Sequence, residues 1–157
     1  MKNLWSDDDS TLFEGELALR VYTSRLLGQD STLVLHGGGN TSVKISKSNI
    51  VGNQEEILYV KGSGWDLEYI EAAGFSPVRM NHMLSLAKLD SLSDPQMVNE
   101  LKTQLTNATS PSPSVETILH AILPFKYVDH THSDSVVTVT NTLEGEDRIR
   151  EIYGERV

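Results

Sequence analysis

Two histidines, His130 and His132, stand one residue apart in the stretch VDHTHSD, residues 128–134. On a β-strand, residues two apart leave the same face, about 7 Å apart along the chain. Two imidazoles placed like that can share one metal ion, and a catalytic zinc usually takes three protein ligands and keeps one open position. The chain has no cysteine, so a transition metal would have to rely on histidine, carboxylate or water. Upstream, PSPSVETILH (111–120) puts Glu116 in the first turn of a helix, where the helix dipole favours a carboxylate. Glu116 reads either as a cap or as a general base at a cleft edge. His120 follows at i+4 on the same helical face, and a histidine inside a helix is more often packed and hydrogen-bonded than a ligand. His36 and His82 have no comparable neighbour and read as structural or rim residues.

Two glycine-rich turns offer a different chemistry. GGGN (37–40) lies between two apolar runs, and KGSG (61–64) ends another. Glycine allows positive φ and a close approach of backbone to ligand, and exposed N–H groups in such a turn can form an anion nest. Lys61 and Ser63 could add contacts to a phosphate oxygen. Each turn taken alone is also an ordinary connection between strands. Neither carries the G-x-G-x-x-G dinucleotide fingerprint.

The elements that must position these groups follow from periodicity. Phe13, Leu17 and Val21 recur at i+4, which predicts a helix over 11–29 with Gly28 as its C-cap. TLVLH (32–36), TSVKIS (41–46), ILYVK (57–61) and KYVDHTH (126–132) read as strands. Asp66 caps a predicted helix LEYIEAA (67–73), closed by Gly74. MNHMLSLAKL (80–89), SDPQMVNELKTQL with Ser93 or Asp94 as its cap, and VETILHAIL (115–123) read as helices, with TSPSPS (109–114) as a stiff connector. SDSVVTVTNT is ambiguous between strand and helix, and EGEDRIREIYG is a charged amphipathic helix. Residues 1–10 read as an acidic, solvated tail, and 11–157 as one α/β or α+β domain.

The bulk numbers set limits. With 157 residues, 38% hydrophobic and 22% charged, the chain can bury a core of its own. A net charge of −9 argues against nucleic acid, whose binding depends on lysines and arginines neutralising phosphates, though not against one small phosphate ligand. The start, MKNLWSDDDS, lacks the apolar core of a signal peptide, and no apolar run reaches the roughly 20 residues that cross a bilayer. A soluble cytoplasmic protein with no membrane partner is the expectation.

In order, these pieces are Gly-Asn-x-Ser, a Gly/Ser turn after a strand, Ser-x-Glu-x-x-x-His, and His-x-His. Together with the wording HGGGNTSVK, YVKGSGWDL, GFSPVR, PSPSVETILHAILP, VDHTHSD and EIYGERV, they resemble the class II aldolase/adducin family. The branch they most resemble is the aldolase part of bifunctional rhamnulose-1-phosphate aldolase/alcohol dehydrogenases. The resemblance implies a three-layer α/β/α fold around a mostly antiparallel sheet. It also implies reversible cleavage of a ketose 1-phosphate to dihydroxyacetone phosphate and an aldehyde, with zinc as the Lewis acid. In the family three histidines hold zinc and a glutamate moves the proton. Carried onto this chain, His130 and His132 are zinc ligands and Glu116 is the acid/base. Asn40, Ser63, Gly64 and Ser114 fall where the family holds the phosphate, and His120 falls on a recurrent non-ligand histidine. Val115 stands where relatives often have a second phosphate-binding serine.

The family's third zinc histidine comes several tens of residues after the pair, whereas only 25 residues follow His132 here and none is histidine. The expectation is therefore an N-terminal part of the domain, truncated at its C-terminus and short of the last strands. It should bind zinc weakly, with His120 the only internal substitute, and self-associate as a homo-oligomer through an unpaired sheet edge. Two alternatives are a non-catalytic adducin-like binding module and a family dehydratase or epimerase acting on a phosphorylated sugar.

Overall fold

Alternation along the strands sorts side chains onto two faces, and helices cover each. The computed structural model describes residues 2–154. Its strands are β1 (Asn40–Ser48), β2 (Gln54–Lys61), β3 (Phe75–Arg79) and β4 (Tyr127–His130), all paired antiparallel in the order β3–β2–β1–β4. The α-helices are α1 (Asp7–Ser10), α2 (Glu16–Gly28), α3 (Met80–Leu86), α4 (Asp94–Thr103), α5 (Thr117–Ile122), α6 (Asp134–Thr140) and α7 (Gly145–Tyr153). On one face Leu58, Val60 and Val78 pack with Met80 and Met83 of α3, Leu101 of α4 and Ala121 of α5. On the other, Tyr59 and Phe75 pack with Leu17 and Val21 of α2, and with Val34, Leu67 and Ile70. This is the expected α/β/α layering of a mixed α/β fold around an antiparallel four-stranded sheet. No described helix is long and apolar enough to cross a membrane.

Several local expectations change. The apolar run 32–36 is a turn, not a strand: the N–H groups of Leu33 and Val34 bond back to the Asp30 carbonyl, and only the Thr32 and Leu33 carbonyls reach a neighbour, accepting from the Asp134 and His132 N–H groups. Val34 is apolar because it plugs the core below Gly39, where an added Cβ would lie 2.4 Å from its Cγ1. Predicted helix 67–73 is two short 3-10 turns, Leu67–Tyr69 and Ala72–Gly74, although Asp66 does cap by accepting from the Glu68 N–H at 2.9 Å. Helix α2 starts later than expected, at Glu16, and Gly28 is its last residue, not its cap. Gly28 is glycine because a Cβ there would meet the Glu68 backbone nitrogen at 2.2 Å.

Strand β3 went unread because Ser76 and Pro77 interrupt its alternation; Pro77 is tolerated because β3 is an edge strand. Helices α3 and α5 are shorter than predicted, β4 ends at His130, and the ambiguous stretch after His132 forms α6. The acidic N-terminal segment docks rather than trailing free: the Ser6 N–H donates to the Tyr22 hydroxyl at 3.0 Å, and the Trp5 ring lies 5.3 Å from the Tyr22 ring.

Candidate active site

Register brings the chemistry together at one end of the sheet. In the β1–β4 ladder Asn40 pairs with His130 and Ser42 with Val128, so Asn40, Ser42 and His130 share the face under α5. Helix α5 begins at Thr117, which puts Glu116 at its N-terminal boundary over the same strands. The Asn40 amide donates to Glu116 Oε2 at 2.7 Å, and the Ser114 hydroxyl donates to the same oxygen at 2.8 Å. One carboxylate oxygen is thus held by two donors, while Oε1 lies 3.0 Å from His130 Nδ1. That last approach is off the hydrogen-bond line, so the buried Nδ1 has no hydrogen-bond partner among the described residues.

His132 lies beyond the end of β4, and its N–H is bonded to the Leu33 carbonyl at 2.8 Å. The strand stops at His130, and the two imidazoles lie edge to face with ring centroids 4.8 Å apart. Potential ligand atoms of Glu116, His130 and His132 all lie within 4.8 Å of one another. Two imidazoles and a carboxylate, without thiolates, suit zinc, and the orphaned His130 nitrogen fits a missing cationic partner. Among the described residues, the third group that converges with the two histidines is therefore the Glu116 carboxylate. His120 does not join them: its ring is fully buried with Nδ1 2.8 Å from the Ser42 hydroxyl, and it lies outside the converging cluster.

The electrostatics separate these groups. Burial acts to raise the Glu116 pKa, but hydrogen bonds from Asn40 and Ser114, with His130 and His120 nearby, outweigh it and leave the carboxyl below its usual range. Glu116 is therefore ionised at neutral pH. Burial pushes His120 down to about 4, so its ring is neutral.

The residues assigned to phosphate divide into two groups. Asn40 and Ser114 hold Glu116. Ser63 and Gly64 sit exposed on the turn after β2, Gly64 with φ +84°. That turn is tied to the segment before Ser114, since Gly62 bridges Pro113 and the Ser63 N–H bonds the Ser112 carbonyl at 2.9 Å. The Ser63 N–H is thus already used within the protein, as is that of Gly62, which bonds the Gly74 carbonyl. Lys61, buried and with its pKa lowered by that burial, reaches across to the first glycine turn and donates to the Gly37 carbonyl at 2.8 Å. His36 stands at the rim in a left-handed conformation, φ 52°, and His82 pairs with Glu100 well away from this cluster.

Two residues went unnoticed in the sequence, Arg20 and Asp129, whose side chains meet at 2.7 Å behind the site. The signal available was the aspartate alternating with the histidines in VDHTHSD.

The fold and sequence have counterparts among known proteins. The N-terminal class II aldolase domain of a conserved protein from Thermoplasma acidophilum superposes with a TM-score of 0.86 and 45% sequence identity, covering 98% of this chain and 70% of that one. The uncharacterized oxidoreductase YuxG of Bacillus subtilis (strain 168) is 36% identical over 156 residues, which is 99% of this chain but 23% of that protein. The family model for the class II aldolase and adducin N-terminal domain matches residues 18–156, and on that match this chain belongs to the class II aldolase/adducin family.

Proposed function

We propose that this chain is a zinc-dependent aldolase domain that cleaves a ketose 1-phosphate, such as rhamnulose 1-phosphate, to dihydroxyacetone phosphate and an aldehyde. The observation that carries this reading is the asymmetry of the Glu116 carboxylate: Oε2 is pinned by Asn40 and Ser114, while Oε1 faces the histidine pair. Held by His130 and His132, zinc would supply a Lewis acid for the substrate carbonyl.

The residues of the chain do the rest. Cleavage takes a proton from the hydroxyl that becomes the aldehyde carbonyl and returns one to the carbon freed by the broken bond, and the reverse reaction removes one from that carbon. Glu116 carries that proton on Oε1, since Oε2 has no lone pair to spare from its two donors. Its lowered pKa keeps it ionised and ready as a base at neutral pH. Asn40 and Ser114 act as its positioning residues and also stand within reach of the substrate. The exposed turn at Ser63 and Gly64 receives the phosphate, whose binding energy places the reacting bond without taking part in it. The oxidoreductase name of the B. subtilis relative supports the branch in which an aldolase part is joined to a dehydrogenase. In this reading the protein works in the cytoplasm as a homo-oligomer.

The test is to load the purified protein with zinc and supply ketose 1-phosphates, following dihydroxyacetone phosphate by its enzymatic reduction. Release that is lost in Glu116→Gln supports the reading. Release that Glu116→Gln leaves unchanged in the folded, zinc-loaded protein overturns it.

A further inference from the structure

We propose that Arg20 is a positioning residue for the His130–His132 pair, acting from the opposite face of the sheet through Asp129. The inference rests on the reading of that pair as metal ligands. Strand β4 has four residues and pairs with β1 alone, so a short ladder at the sheet edge carries His130 and aims the chain at His132. By alternation Tyr127 and Asp129 point to the α2 face while Val128 and His130 point to the α5 face. Arg20 of α2 is 1% exposed and supports both α2-face side chains of β4: Nη1 is 2.7 Å from Asp129 Oδ1, and the guanidinium carbon is 5.8 Å from the centre of the Tyr127 ring.

One helical turn later, the Ser24 hydroxyl is 2.8 Å from that of Thr41, the residue paired with Asp129. Arg20 and Ser24 thus grip both members of one rung of the ladder. The next rung is Asn40–His130, whose side chains do the chemistry on the other face. A guanidinium that only fastened helix to sheet would be a costly choice. It is buried, and its Nε has no partner among the described residues. Asp129 is 47% exposed, so water screens the attraction that would offset burying the guanidinium. What the planar, directional fork adds over an apolar contact is a fixed height and rotation of the strand.

The experiment uses the double variant Arg20→Met/Asp129→Leu, which removes both charges and keeps the packing volume. Crystal structures of metal-free wild type and variant report the spacing of the His130 and His132 rings and the Glu116–His130 approach. Competition with a chelating dye reports zinc affinity. The expected result is a cooperatively folded variant in which the histidine spacing is lost and zinc affinity falls about 10- to 100-fold, the range typical of groups that orient ligands. Arg20→Lys, which keeps the charge without the fork, should show a smaller loss. It also stands in if the double variant does not fold. Unchanged histidine spacing and unchanged affinity in the folded variants overturn the proposal. If wild type takes up no zinc, the metal reading fails, while the ring spacing in the metal-free protein still decides whether Arg20 positions the pair.

Discussion

Two histidine–glutamate pairs flank this sheet, and measured pairwise they are nearly alike. By the β3 edge, His82 of α3 meets Glu100 of α4 at 2.7 Å; by the β4 edge, His130 meets Glu116 at 3.0 Å. Even the exposures match, at 34% and 32% for the first pair and 33% and 29% for the second. What differs is everything around them. His82 Nε2 makes an ordinary hydrogen bond to Glu100, so each group satisfies the other beside an open groove of about 350 Å³. At the other pair the carboxylate is already taken on one oxygen by Asn40 and Ser114, His130 Nδ1 is out of line, and His132 stands alongside. A histidine beside a glutamate is thus only a surface ion pair when the two complete each other. It becomes a candidate site when other residues hold the carboxylate and leave donor atoms converging with no partner.

That contrast can be broken most sharply at Glu116. Glu116→Gln keeps the hydrogen-bonding shape but cannot carry a proton. It should lower aldol cleavage by about 10³-fold, within the range for a lost general acid or base, whereas Glu100→Gln should leave turnover unchanged. Steady-state rates for the two variants, both checked for folding, settle it. Equal losses would erase the distinction between the pairs.

The next effect is on stability, through the buried His120. Its native pKa of about 4 lies below the ordinary value of 6.5, so the native state refuses a proton that the unfolded chain accepts. The contribution of His120 to stability, fully present above pH 6.5, should therefore fall as pH drops towards 4, by about 3 kcal/mol in all. Denaturant titrations at half-unit pH steps would show this. Between pH 6.5 and 5, where carboxylates contribute little, His120→Gln should flatten the curve.

Metal binding gives a third comparison. His130→Ala should weaken zinc by at least about 100-fold, beyond the typical loss for an orienting group, and His82→Ala should leave the zinc affinity where it was. The smallest expected effect concerns the surface pair itself. His82→Ala and Glu100→Ala should each shift unfolding by less than about 1 kcal/mol, as is usual for exposed ion pairs. A larger shift would mean that the β3 edge depends on this pair.

Much of the site was legible because it is written in residue types. The H-x-H spacing, Glu116 at a helix start and the two glycine turns could each be named from the chain, and β1, β2 and α5 could be placed roughly around them. The failures have physical causes. An apolar run was read as a strand at 32–36 because periodicity cannot tell a ladder from a plug such as Val34 whose neighbours bond locally. Strand β3 escaped because a proline that an edge strand tolerates looks like a break. Gly28 looked like a cap because the chain does not show that Glu68 will press against it.

The sequence by itself determined the inventory: a cysteine-free acidic chain, two histidines set to aim together, one glutamate at a helix start, and a pattern of motifs specific enough to point to a family. Tertiary structure decided who meets whom. Asn40 and Ser114, which the resemblance gives to a phosphate, both bond the Glu116 carboxylate. His120 is spent on Ser42, and Arg20 reaches the strand of the histidines from behind. Asn40 and Glu116 are 76 residues apart, and Ser42 and His120 are 78 apart. Contacts at such separations are set by strand register, and register follows from the packing of both sheet faces at once. No local stretch of sequence contains that sum.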